Sequence, residues 1–121
     1  MGPKILLADD ETTLLRLFST VLERAGYVTL EAASSTEAAS LFSQHADEIE
    51  ALVLDVNLPP DGAETVLEGV LARRPEMPFL IVSGQPLEGA LASEVAQSTT
   101  GHFMPKPFRP SELLAWVEAL P

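Results

Sequence analysis

A chain of 121 residues carrying 18 acids against 7 bases, a net charge of −11, is the size of one domain that buries about two thirds of its unfolded surface. That charge repels nucleic-acid phosphates and anionic lipid alike, so cations and basic protein surfaces are the expected partners, with no nucleic acid and no membrane. The absence of cysteine excludes a disulfide framework and thiolate chemistry, and no apolar run approaches the ~20 residues of a membrane span.

The amino terminus, MGPKILLADDE, meets acids too soon for a secretory signal, and a cytoplasmic location is expected. Within it KILLA, residues 4–8, reads as a buried strand, followed at once by Asp9 and Asp10. Glu11 is read as an acid in the first turn of the helix that follows. Leu14, Phe18, Val21, Leu22 and Ala25 then recur at helical spacing, closed by Gly26 in a C-cap position. YVTLE (27–31) is the second strand, and Ala38, Leu41 and Phe42 mark a weaker helix. ALVLD (51–55) is the third strand; it delivers a lone acid, Asp55, to an edge and stops on Asn57, Pro59, Pro60, Asp61 and Gly62. Val66, Leu67, Val70 and Leu71 are helical up to Pro75. FLIVS (79–83) ends on Ser83 and Gly84, and Leu87, Leu91 and Val95 predict the fourth helix. GHFMP (101–105) leads into Lys106, held between prolines in MPKPF, and Leu113, Trp116, Val117 and Leu120 form the last helix with Ser111 near its start.

Strict alternation of strand and helix implies parallel strands joined by right-handed crossovers. Runs such as ILLA, LVL and FLIV lack polar alternation, so those strands are expected to be covered on both faces. One domain over residues 1–121 follows.

In open parallel sheets, ligands sit outside the carboxyl ends of the strands. Asp9, Asp10, Asp55, Ser83 and Lys106 all fall at such ends, so the topology carries them to one edge. Carboxylates crowded there repel, and a divalent cation resolves the conflict. Oxygen-only ligands suit magnesium, which keeps several waters and needs few protein oxygens. A carboxylate nucleophile, a hydroxyl donor, an ammonium and Mg2+ together are what phosphoryl transfer to an acid requires.

LADDE, LVLDVNLPPDG, FLIVSG and FMPKPF, in this order and spacing, resemble the receiver domain of bacterial two-component response regulators over essentially the whole chain. The resemblance implies a flavodoxin-like doubly wound (βα)5 fold with five parallel strands in the order 2-1-3-4-5. It further implies that Asp55 accepts a phosphoryl group from a phosphohistidine of a partner kinase or histidine phosphotransfer protein. By the same resemblance Asp10 ligates magnesium directly, Asp9 through water, and Asn57 through its backbone carbonyl. Lys106 would hold a phosphoryl oxygen and Ser83 another, with Ser83 coupled to the switch aromatic Phe103. The signal would leave towards a downstream protein through the face formed by the last two helices and the last strand, from a monomer or a phosphorylation-dependent dimer. Asn57 and Gln85 flank the path of the hydrolytic water and would set the lifetime of the phosphorylated state.

Several positions depart from the family pattern. The loop from Asp55 to Gly62 is a residue shorter than usual, with Pro59-Pro60 in it, which puts the aim of the Asn57 carbonyl in question. Ser98-Thr99-Thr100-Gly101 replaces the common Ala-Gly-Ala, singling out the fourth helix and its exit loop. Ser83 and Phe103 stand where Thr and Tyr are more frequent, and His102 is expected to be exposed loop. Other classes fit less well. A phosphatase of the haloacid dehalogenase type needs its nucleophile after the first strand in a DxD pattern, which LADDE lacks. A flavin carrier needs a phosphate cradle where this chain has acids. A degenerate receiver used only for docking would not need the full set of acids, hydroxyl and ammonium present here.

Overall fold

The computed structural model describes residues 2–120; the ends of the expected domain, residues 1 and 121, lie outside the described residues. Five strands and five helices alternate: β1 Lys4–Ala8, α1 Thr12–Arg24, β2 Val28–Ala32, α2 Ser35–His45, β3 Ile49–Asp55, α3 Gly62–Arg73, β4 Phe79–Ser83, α4 Gly89–Gln97, β5 Gly101–Pro105 and α5 Pro110–Glu118. The strands form one parallel sheet in the order β2-β1-β3-β4-β5, the doubly wound arrangement with its order reversing beside β1.

Side-chain alternation along the strands sorts the core into two layers. Leu6, Leu52, Leu54, Phe79 and Ile81 meet Phe42, Val66, Leu67, Val70 and Leu91 from α2, α3 and α4. Ile5, Leu7, Val53, Leu80 and Val82 meet Leu15, Phe18, Leu22, Leu113 and Val117 from α1 and α5. The central strands are therefore buried on both sides, which is why they read as continuous apolar runs.

Several boundaries differ from the sequence reading. The Tyr27 amide donates to Leu22 O and the Gly26 amide to Glu23 O, which closes α1 as a Schellman turn with Gly26 one residue beyond the Ala25 cap, at φ 101°. Tyr27 is thus spent on the helix end, and β2 starts at Val28 and runs on to the buried Ala32. β3 begins at Ile49 rather than Ala51, because Ile49 pairs with Lys4 across a register shift that leaves Glu50 exposed. The fourth helix starts at Gly89, two residues after Leu87, and holds a single buried residue, Leu91. At the last helix Pro110 takes the first position, ahead of Ser111, and Glu112 Oε2 accepts from the Arg109 amide at 3.1 Å.

The Ser98–Gly101 segment is built rather than loose. Ser98 Oγ accepts from the Thr100 amide at 3.0 Å and the Gly101 amide at 2.8 Å. Gly101 pairs with Phe79 across β4 and β5, and a β-carbon there would fall 2.2 Å from the Phe79 ring, so the strand requires glycine at that position.

Candidate active site at the carboxyl edge of the sheet

Three strands end in the same way. Asp9 Oδ1, after β1, accepts from the Glu11 amide at 2.9 Å. Asp55 Oδ1, closing β3, accepts from the Asn57 amide at 2.9 Å, and Ser83 Oγ, closing β4, accepts from the Gln85 amide at 3.0 Å. In each case a side-chain oxygen bonds the amide two residues on and turns the chain out of the sheet. One acceptor position on each functional group is thereby fixed, and the remaining atoms face the edge. Glu11 is the N-cap residue of α1, with no side-chain cap bond, instead of a first-turn acid.

Lys106, carried past the end of β5, completes the group. Its amide donates to Ser83 O at 2.8 Å. Its ammonium donates to Asp55 Oδ2 at 2.5 Å and Asp9 Oδ2 at 3.0 Å. The Asp9 and Asp55 side chains are only 6% and 8% exposed, and that of Lys106 18%, so these are charges held away from bulk water.

Burial pushes the Asp9 carboxyl above the ordinary aspartate value and the Asp55 charge adds to the push; the bonds from the Glu11 amide and Lys106 reduce the shift without cancelling it. For Lys106, burial acts to lower the pKa, but the hydrogen bonds and charges of Asp55 and Asp9 outweigh it and hold the ammonium above the ordinary lysine value.

Asp10 joins from the solvent side. Asp9, Asp10 and Asp55 offer oxygens that all lie within 4.8 Å of one another, two from buried residues and one from an exposed residue. This donor set fits a hard cation: it is all oxygen, carries a surplus of negative charge even after Lys106 is counted, and has an open side for water.

The structure thus brings Asp9, Asp10, Asp55 and Lys106 together, and places the buried Ser83 at the same edge, on the strand beside β3. Asn57 and Gln85 are exposed at that edge. Phe103 stands apart from it, half-buried in β5, paired with Ile81. Unlike its neighbour Met104, it joins neither core among the described residues. His102 is exposed, but within β5 instead of a loop. Sequence reasoning missed Ser35, whose hydroxyl and amide bind the loop after β3; its position at the start of a weakly periodic helix gave no signal.

Residues 5–118 match the family of the response regulator receiver domain. The chain belongs to that family. Among curated relatives, the sensor kinase CckA of Brucella abortus is 30% identical over 116 residues, covering 96% of this chain and 12% of that protein. The transcriptional regulatory protein CpxR of Klebsiella pneumoniae is 30% identical over 97% of this chain and 48% of its own length. The alkaline phosphatase synthesis regulator PhoP of Bacillus subtilis is 32% identical over 99% and 49%. The chain thus spans half or less of the curated relatives it matches. In three dimensions it is similar to the non-phosphorylated HemR receiver domain of Leptospira biflexa, with a TM-score of 0.86 and 26% identity over 99% of this chain and 97% of that one. It is also similar to the receiver domain of the hybrid histidine kinase CckA, with a TM-score of 0.79 and 27% identity over 95% of each chain. No helix among the described residues is long and apolar enough to cross a membrane.

Proposed function

We propose that this receiver takes a phosphoryl group from a phosphohistidine of a partner histidine kinase or histidine phosphotransfer protein onto Asp55, in the cytoplasm, as a single domain over residues 1–121. The observation that carries the reading is the Asp55 carboxylate, buried, 2.5 Å from an ammonium and within 4.8 Å of two further acids.

Asp55 attacks in line: one carboxylate oxygen forms the bond to phosphorus as the phosphorus–nitrogen bond breaks, and the electron pair of that bond leaves on the imidazole. Asp10, Asp9 and the Asn57 backbone carbonyl, together with Asp55, would hold Mg2+. When bound, the ion neutralises the acids and draws charge from the phosphoryl oxygens. Lys106 moves its ammonium from Asp55 to a phosphoryl oxygen at little positional cost, because its amide is fixed on Ser83 O. Ser83 already accepts from the Gln85 amide, so its hydroxyl proton is left for another phosphoryl oxygen. Drawing Ser83 inward favours the state in which Phe103 occupies the space behind it. Phe103, packed on neither core, is the residue able to make that move, and the face of α4, β5 and α5 carries the change to a downstream protein. Asn57 and Gln85 line the approach of water and set how long the acyl phosphate lasts.

A phosphorylated histidine phosphotransfer protein mixed with the chain and Mg2+ tests the partner class. Transfer to wild type and none to Asp55→Asn is the expected result. A chain that binds such a protein without accepting phosphate would instead be a docking module.

A further inference from the structure

The loop that follows Asp55 leaves the site and is caught 26 residues upstream. Ser35, the first residue of α2, is 2% exposed. Its amide donates to Pro59 O at 2.8 Å. Its hydroxyl oxygen accepts from the Asp61 amide at 2.9 Å and donates to Asp61 Oδ2 at 3.4 Å. The two anchored residues bracket Pro60. They follow directly on Asn57 and Leu58, and Leu58 is itself 1% exposed. From Asp55, whose Oδ1 holds the Asn57 amide, to Asp61, the loop is therefore pinned at both ends and in the middle. Between Asp55 and the buried Leu58, the exposed residue is Asn57, at the metal edge.

We infer that Ser35 is a positioning residue for the cation site: through Pro59 and Asp61 it aims the backbone of Asn57 at the carboxylates of Asp10 and Asp55. This rests on the reading above, in which that backbone carbonyl is a ligand. Ser35 touches neither the cation nor the phosphoryl group. Its effect is to hold in one conformation a loop that carries two prolines and no regular structure, so that a carbonyl oxygen enters the coordination sphere without an ordering penalty. This contact joins helix α2 to the site.

The test is a Mg2+ titration of the apo-protein followed by amide NMR shifts, comparing wild type with Ser35→Ala, Ser35→Thr and Ser19→Ala. Ser19 is the control for a purely structural loss: it is 0% exposed and its hydroxyl bonds Thr29 between α1 and β2, on the opposite layer. Threonine keeps the hydroxyl that binds Asp61. Ser35→Ala is expected to raise the Mg2+ Kd roughly tenfold and to shift the Asn57 amide in the apo state. Ser35→Thr is expected to restore both, and Ser19→Ala to leave the Kd unchanged even where it lowers the unfolding midpoint. Equal Kd values for wild type and Ser35→Ala, or an equal weakening by Ser19→Ala, would overturn the role of Ser35 alone. A wild type with no saturable Mg2+ binding would overturn the cation reading and this inference with it.

Discussion

Lys106 and Asp55 form the tightest ion pair of the site, Nζ to Oδ2 at 2.5 Å, and the same ammonium serves Asp9 at 3.0 Å. One cation thus bridges two buried acids that would otherwise repel. Lys106→Met leaves both carboxylates without it, and in EDTA at pH 7 the variant is expected to be less stable than wild type by roughly 1–3 kcal/mol in urea unfolding. The ammonium is held above its ordinary value in the folded chain. Its contribution is therefore fully present below the unfolded value of about 10.4 and is lost as the pH rises through the higher folded value. The stability gap is expected to hold through neutral and mildly alkaline pH and to close above that window. A gap absent at pH 7, or undiminished in strong alkali, would contradict the pairing.

Asp10 has the opposite sign. It adds an exposed third negative charge within 4.8 Å of the oxygens of Asp9 and Asp55, and two like charges at that distance repel by about 1 kcal/mol or more. Asp10→Asn is expected to raise the unfolding midpoint of the metal-free protein and to weaken Mg2+ binding at the same time. A variant that lost stability in EDTA would show that Asp10 is held by contacts other than its neighbours' charges.

Gly101 tests the packing of the edge strand. The Phe79 ring lies where its β-carbon would go, 2.2 Å away, so Gly101→Ala is expected to destabilise the domain by roughly 1–3 kcal/mol. Phe79→Leu in the same chain shortens the offending side chain, and the double variant is expected to be less destabilised than the sum of the two single ones. Additive losses in urea unfolding would rule out the contact as the cause.

The extent to which this architecture can be read from residue order follows from the range of the interactions. KILLA, FLIVS and GHFMP are strands at the predicted bounds. The acids, Ser83 and Lys106 converge because parallel topology alone carries strand ends to one edge. What was hidden depends on partners far along the chain. Ile49 enters β3 only because Lys4 of β1 lies opposite. The Ser35 tether spans 26 residues and exists because α2 and α3 share one face of the sheet. The stack of Phe18 on Phe108, with ring centroids 5.0 Å apart, likewise anchors the loop after Lys106 to α1 in a way no local pattern marks. The three matched turns at Asp9, Asp55 and Ser83 were in principle legible, since Asp and Ser favour such bonds.

Asn57 and Gln85 provide a kinetic test. Each is two residues beyond a site residue and exposed, and each contributes its amide to a turn that any replacement except proline retains. Replacing either side chain with Ala or Lys is therefore expected to keep the fold and change the decay rate of the phosphorylated protein, read by the loss of radiolabel. Identical decay in all variants would remove both residues from the path of water.

The central claim is that Asp55 is the residue phosphorylated. Wild type and Asp55→Asn incubated with acetyl phosphate and Mg2+, then measured by intact-protein mass, test it most directly. One added phosphoryl group on wild type and none on Asp55→Asn is the predicted result. Undiminished labelling of Asp55→Asn, or none on wild type while it binds Mg2+, would contradict the account.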